Sequence, residues 1–355
     1  MSQSNGTKRI TTTNSVPNLD ASALVETAIE PAPPEQNASS PDKEKLSGST
    51  PMFEAGRDYV AHQAKKIREA EPTAREGKDR EGVHDMRVAT RRLRENLRLL
   101  GDTAFNPAET TALRQKLSRL ARTLGETRDT DVFLEHLDTY DAQLPVDERA
   151  GLEPLRKVLK KRYKRSHKAL LKLLDDPKTQ KLYGKLERFG ASNGTGAKAN
   201  SSNSTDVAPS LVRHFAGSAI WRRYEAVLAY DTAVNSETSE ETLHRLRIAF
   251  KRLRYTIEFF EEALPPTVKT LHEQLVEAQD DLGSIHDDYA ANIYMTQTVL
   301  AGKSKKPDGA LLKYHESREV DSIKLRESFL QKWRLMTGLK YKKQLASDIA
   351  ALTTR

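Results

Sequence analysis

Apolar residues along the chain recur every three to four positions, with no stretch of β-branched alternation, and Pro and Gly gather at the ends of these periodic runs. That pattern predicts helices over Arg57–Ala70, Val83–Leu100, Glu109–Leu124, Asp129–Leu144 and Leu152–Leu174. In the second half it predicts Leu211–Tyr230, Glu240–Glu262, Thr267–Leu282, Asp287–Leu300 and Leu311–Met336. Asp175-Asp176-Pro177 and Leu264-Pro265-Pro266 read as stops. Residues 1–50 are rich in Ser, Thr, Asn and Pro and read as a disordered tail. Residues 190–209 read as a flexible linker between a first helical unit, 51–189, and a second, 210–355. Gly302–Gly309 reads as an exposed loop.

The two units are related in sequence. Val83–Arg94, VHDMRVATRRLR, and Leu243–Arg254, LHRLRIAFKRLR, share six of twelve residues. A second echo follows each: Leu124-Gly125-Glu126-Thr127-Arg128-Asp129 and Leu282-Gly283-Ser284-Ile285-His286-Asp287. From His84 to Leu124 is 40 residues, and from His244 to Leu282 is 38. Equal order and near-equal spacing argue for two copies of one helical unit. In each copy the motif helix divides into two stripes. Met86, Ala89, Leu93 and Leu97 form an apolar one, and His84, Arg87, Arg91, Arg94 and Arg98 a basic one that runs ~21 Å. In the second copy Leu246, Phe250, Leu253 and Ile257 are apolar, and His244, Arg247, Lys251 and Arg254 form a row that ends at Glu258. Arg92 and Arg252 lie about 100° off these rows, where pairing with carboxylates is expected.

Like charges one turn apart cost a few tenths of a kcal/mol per pair, so either neighbouring carboxylates or a bound polyanion must offset them. Guanidinium groups fork onto phosphate oxygens and stay charged at any ordinary pH, so a linear row suits a linear chain of phosphates. The composition agrees. The 355 residues hold 58 Lys and Arg against 50 Asp and Glu. Residues 51–355 carry 54 basic and 44 acidic groups, the remainder belonging to the tail. Further cations that fit such a partner are Arg119 and Arg122 on the third predicted helix, and Lys161, Lys164, Arg165 and Lys168 on the fifth. The absence of cysteine excludes disulfides, thiol catalysis and thiolate-bound metals. No apolar run is long enough to span a bilayer, and no secretory pattern opens the chain, so a soluble, cytoplasmic protein is expected.

The paired motifs resemble the signature of the CHAD family, the conserved-histidine α-helical domain. The similarity covers most of residues 51–345, with both LG-x-x-[RH]-D segments in place. It implies an all-α fold of two four-helix-bundle-like units with pseudo-two-fold symmetry around a basic pore or groove. It also implies binding of inorganic polyphosphate, with His84, Arg87, Arg91 and Arg94 on one wall and His244, Arg247, Lys251 and Arg254 on the other, and association with polyphosphate granules. Two departures bear on the walls: Lys251 replaces the arginine of the first copy, and His286 stands opposite Arg128. The acidic Glu-x-Glu-x-Lys signature of triphosphatase domains sometimes fused to this family is missing, so a binding module is expected rather than an enzyme.

Asp129 and Asp287 repeat after a Leu-Gly break and are expected in the first turn of a following helix, in a scaffold role that orients a pore arginine. No metal or cofactor is expected, since a row of arginines repels a dication around His84. Two other readings stay open. A helical nucleic-acid binder would share the salt sensitivity, but the basic rows hold no aromatic residue for base stacking. A metal-dependent polyphosphate hydrolase would need a metal-ligand set that the sequence does not name. Oligomeric state is not legible in the sequence.

Overall fold

The computed structural model describes residues 45–102, 105–191, 210–297 and 309–354. Ten α-helices run through them: α1 (Met52–Glu76), α2 (Arg80–Gly101), α3 (Pro107–Gln143), α4 (Glu153–Leu174), α5 (Pro177–Ala191), α6 (Val212–Leu228), α7 (Glu240–Phe260), α8 (Val268–Met295), α9 (Gly309–Thr337) and α10 (Leu339–Thr354). The all-α expectation holds, and among the described residues the sole β-type pairing is a bridge between Pro51 and Leu211. That bridge ties the start of α1 to the start of α6, with Met52 N donating to Ser210 O (2.8 Å) and Val212 N to Thr50 O (2.9 Å). The expected tail, linker and 302–309 loop lie almost wholly outside the described residues.

The helix breaks expected at the two Leu-Gly steps do not occur. Glu109–Leu124 and Asp129–Leu144 are one 37-residue helix, α3, and Thr267–Leu282 continues through Asp287 as α8. A glycine inside a helix costs roughly 1 kcal/mol relative to alanine. Here Gly125 and Gly283 are both buried in helices packed along their length, so tertiary contact outweighs the local preference. Asp129 and Asp287 therefore sit mid-helix, not in a first turn. Likewise α1 continues through Pro72, its last turn pinned by fully buried Ala74 and by an Arg75–Glu71 ion pair at 2.7 Å. α5 begins at the stop Pro177 and α10 begins just after Gly338; the periodicity drew no helix over either.

Helices α1, α2 and α3 pack in succession, as do α6, α7 and α8, and α2 meets α7. One apolar core reaches from Met52 to Leu352, taking residues from both halves, so neither half closes a core by itself. A second, smaller cluster joins Leu137, Leu155 and Leu159 to Met295, Leu311 and Tyr314, again across the halves. The α1–α2 turn brings backbones into contact. Gly77 takes the left-handed conformation (φ 63°) that ends α1, and Asp79 caps α2 by accepting from Glu81 N at 2.9 Å. A Cβ on Gly82 would lie 2.3 Å from Ala74 N, so α1 and α2 approach here at a distance only glycine permits. Gly82→Ala is expected to destabilise the protein by about 1–3 kcal/mol, since backbone and not a flexible side chain must yield. A urea-unfolding midpoint equal to that of the parent protein would contradict this contact.

Candidate functional site

Both motif helices are buried on more than their apolar stripe. Along α2, Met86, Ala89, Leu93 and Leu97 enter the core as expected, yet His84 and Arg87 on the basic row are also only 6 and 7 % exposed. On α7, Arg247 is fully buried and Arg254 is 3 % exposed. The basic rows thus face inward, where charge is costly unless it is matched.

Charges from both halves meet in one region. Arg87 Nη2 lies 3.8 Å from Asp129 Oδ1 on α3. Asp287 on α8 is acted on by Arg247, by Asp129 and Arg87 from the first half, and by Arg318 on α9. Burial pushes the Asp287 carboxyl up to about 7 against the pull of Arg247. Asp280 and Asp131 are likewise pushed up by burial to about 6, against Arg254 and Arg128 respectively. These carboxylates therefore offset the surrounding guanidinium groups only in part.

Arg91 occupies the most demanding position. Its guanidinium lies over the ring of Tyr255 on α7, 5.5 Å from the centroid. Its Nε and Nη1 are buried and meet no hydrogen-bond acceptor among the described residues. Burial, with Arg87, Arg254 and Arg92 adding to it and Tyr255 opposing, lowers its pKa to about 10. It remains a cation at neutral pH. His84 is lowered to about 4 by burial and then by Arg91, Arg87 and Arg92, and so is a neutral imidazole. His286 is lowered further, by burial and by Arg247, and its ring sits 4.9 Å from that of His244.

The off-row arginines behave as their angle predicts. Arg92 Nε reaches Glu258 Oε2 across the α2–α7 contact at 3.1 Å, and Arg252 Nε comes within 4.0 Å of Glu95. Glu258 also accepts from Arg254 Nε at 2.6 Å and faces His272 Nε2 at 3.5 Å. Burial would raise this carboxyl, but His272, Arg92 and Arg254 hold it far below the usual carboxylate range. Arg254 is accordingly engaged by the fold as well as belonging to the row.

The remaining candidates spread outward. Arg94 Nη2 reaches Ser118 Oγ at 3.4 Å, and Arg98 lies 3.5 Å from Glu95. Lys251 is half-buried on α7. Arg119, exposed on α3, pairs with Asp176 at 3.2 Å, and Arg122 is exposed on the same helix. Lys161, Lys164, Arg165 and Lys168 are exposed along α4, one side of which they share. They stand on the surface, apart from the inward rows.

Two buried cations escape the periodicity argument. Arg128 is 2 % exposed, with Nη2 3.9 Å from Glu135, and acts on Asp131, Asp129 and Asp287. Its only trace in the sequence is its place in the LG-x-x-[RH]-D echo. Arg318 on α9 is 5 % exposed and ion-paired with Asp288. It leaves no trace, because its neighbours in sequence, His315-Glu316-Ser317 and Glu319, look like any solvated helix face. Among the described residues no group of three or more His, Asp or Glu side chains is placed to hold a metal ion. No described helix is long and apolar enough to cross a membrane.

Comparison with known proteins places this arrangement in context. The structure is similar to that of PptA from Streptomyces chartreusis, with a TM-score of 0.61 at 18 % identity, over 80 % of this chain and all of that one. It is similar also to the CHAD domain from the plant Ricinus communis, with a TM-score of 0.58 at 21 % identity, over 88 % of this chain and 95 % of that one. These likenesses speak for the fold. No curated protein matches the sequence. The family model of the CHAD domain matches residues 58–293, well over half of the chain, and both motif helices lie within it. The chain therefore belongs to the CHAD domain family.

Proposed function

We propose that this protein binds inorganic polyphosphate between its two motif helices and does not turn it over. The family, linked to polyphosphate binding, supplies the class of ligand. The observation that carries the reading for this chain is Arg91: a half-buried arginine whose Nε and Nη1 are buried and unmatched, ringed by Arg87 and Arg92 of its own helix and Arg254 of the other half. An unmet buried donor costs about 1–3 kcal/mol, more when charged. A phosphate oxygen meets that need, and successive oxygens along a chain meet successive arginines.

Each half supports the reading with five helices in the same order, the motif helix second and the Leu-Gly-bearing helix third. We take these as two copies of one unit, related by a pseudo-two-fold axis, with the rows as facing walls of a basic pore or groove. In that arrangement Asp129 and Asp287 hold Arg87 and Arg247 in position, and the exposed cations of α4 extend the field outward. Such a protein belongs in the cytoplasm, carried to polyphosphate granules by its ligand. Nucleic acid fits less well, because the ring of Tyr255 is 2 % exposed and lies beneath Arg91, where no base can stack on it.

A competition titration tests the proposal. Labelled polyphosphate is bound to the full chain and challenged with single-stranded DNA at equal phosphate concentration, with and without Mg²⁺. Most of the polyphosphate is expected to stay bound, its affinity falling steadily as salt rises. Displacement by DNA would favour a general nucleic-acid binder. Release of inorganic phosphate in the presence of Mg²⁺ would overturn the non-catalytic reading.

A further inference from the structure

A cleft of about 400 Å³ opens between α3 and α5, with the end of α4 at its edge. It falls in the size range of small-molecule sites, roughly 300–1,000 Å³. Leu120, Leu173 and Leu182, core residues exposed by 5 % or less, form its floor, and its exposed surface is mostly apolar. The rim is cationic: Lys116 and Arg119 from α3, and Lys178, Lys181 and Lys185 from α5. The one carboxylate in the lining, Asp176, is already engaged. Its Oδ2 pairs with Arg119 at 3.2 Å and its Oδ1 accepts from Lys178 N at 2.9 Å.

Two of the rim lysines are pressed together. The side chain of Lys185 meets that of Lys116, and this contact, followed by their mutual repulsion, lowers the Lys185 pKa although the group is exposed. Two ammonium groups side by side above an apolar wall gain from a shared anion. The cleft is also separate from the rows. Its lining comes from α3, α4, α5 and the α4–α5 turn and includes no residue of α2 or α7.

We propose that this cleft binds a small amphiphile with an anionic head, of the alkyl phosphate or fatty carboxylate class. Its head lies between Lys116 and Lys185, and its apolar body lies against Leu120, Leu173 and Leu182. Polyphosphate has no apolar body and gains nothing from that wall. The site is therefore distinct in chemistry as well as in place from the polyphosphate site proposed above.

Calorimetric titration of the full chain with decyl phosphate, kept below its micelle threshold, tests this. One saturating site is expected, and inorganic phosphate alone should bind at least about tenfold more weakly, since it forgoes the apolar burial. The variant carrying Lys116→Glu and Lys185→Glu should weaken decyl phosphate by about tenfold or more. Both lysines are exposed, so the fold tolerates the change, and helicity by circular dichroism verifies it. A variant carrying Arg91→Gln and Lys251→Gln should leave this titration unchanged. Equal binding of inorganic and decyl phosphate overturns the assignment, as does an unaltered titration in the double-glutamate variant. Loss of decyl phosphate binding in the row variant would move the amphiphile to the rows and equally overturn it. Failure of polyphosphate binding by itself touches none of these readouts.

Discussion

Glu258→Gln is expected to cost about 3–5 kcal/mol of stability, the usual penalty for removing one partner of a buried ionic cluster. The Glu258 side chain is 9 % exposed and faces three cationic groups: Arg254 at 2.6 Å, Arg92 at 3.1 Å and His272 at 3.5 Å. Glutamine keeps the shape but leaves those groups without their common anion. Because Arg92 reaches it from the other half, the loss should also loosen the α2–α7 contact. Urea unfolding measures the effect, and a cost below about 1 kcal/mol would mean that the cluster is compensated elsewhere.

The same cluster has a signature in pH. Burial opposes the charge on His272, yet hydrogen bonds to Glu258 and Glu261 raise its pKa to about 9. A raised folded pKa gives stability that is complete below the ordinary value of 6.5 and is lost as pH climbs toward about 9. Glu258 has the opposite sign. Its depressed pKa gives stability that is complete above the ordinary 4.5 and is lost on acidification. Stability from the pair should therefore be greatest between pH 4.5 and 6.5 and decline on both sides. His272→Leu should flatten the alkaline limb. An alkaline limb that persists unchanged in that variant would assign the titration to another group.

The variant carrying Arg91→Gln and Lys251→Gln should lower polyphosphate affinity by about a hundredfold or more, since each charge-assisted contact contributes about 1.5–3 kcal/mol. Stability should stay within about 0.5 kcal/mol of the parent or rise. The Nε and Nη1 of Arg91 are buried with no acceptor, and the ring of Tyr255 offsets that cost only in part, so the folded state bears the rest until the ligand is bound. Arg92, one residue away, is tied to Glu258 and is expected to behave in the reverse sense, with its loss felt in stability before binding. Adjacent arginines on one helix would then separate a binding role from a scaffold role. Affinity retained at moderate salt in the Gln variant would remove the rows from the binding site.

The helical class and the motif helices were readable because periodicity is a local property. The rotation between Arg91 and Arg92 is about 100° on any α-helix, whatever packs against it, and it set Arg92 off the row, where it pairs with Glu258; it did not reserve carboxylates for that position, since Arg87, Arg98 and Arg254 of the rows meet Asp129, Glu95 and Glu258. The repeat of VHDMRVATRRLR in LHRLRIAFKRLR likewise needed no fold to be seen. Local rules failed where long-range packing outweighed them. Gly125 and Gly283 read as breaks and the first helix was drawn only to Ala70, yet both glycines, and Pro72 beyond Ala70, lie inside helices held by their neighbours.

What the sequence determined by itself is the angular placement of charge: which arginines share a stripe, and that two such stripes exist. What only the tertiary structure decided is the surroundings of each charge. Arg91 meets Tyr255, Arg92 meets Glu258 from 166 residues away, and Arg318, set in an ordinary-looking polar helix, becomes one of the most buried cations. The reason is physical. The direction of a side chain follows from its own backbone, whereas its solvation and its partners depend on segments that chain connectivity leaves free to lie anywhere until the shared core brings them together.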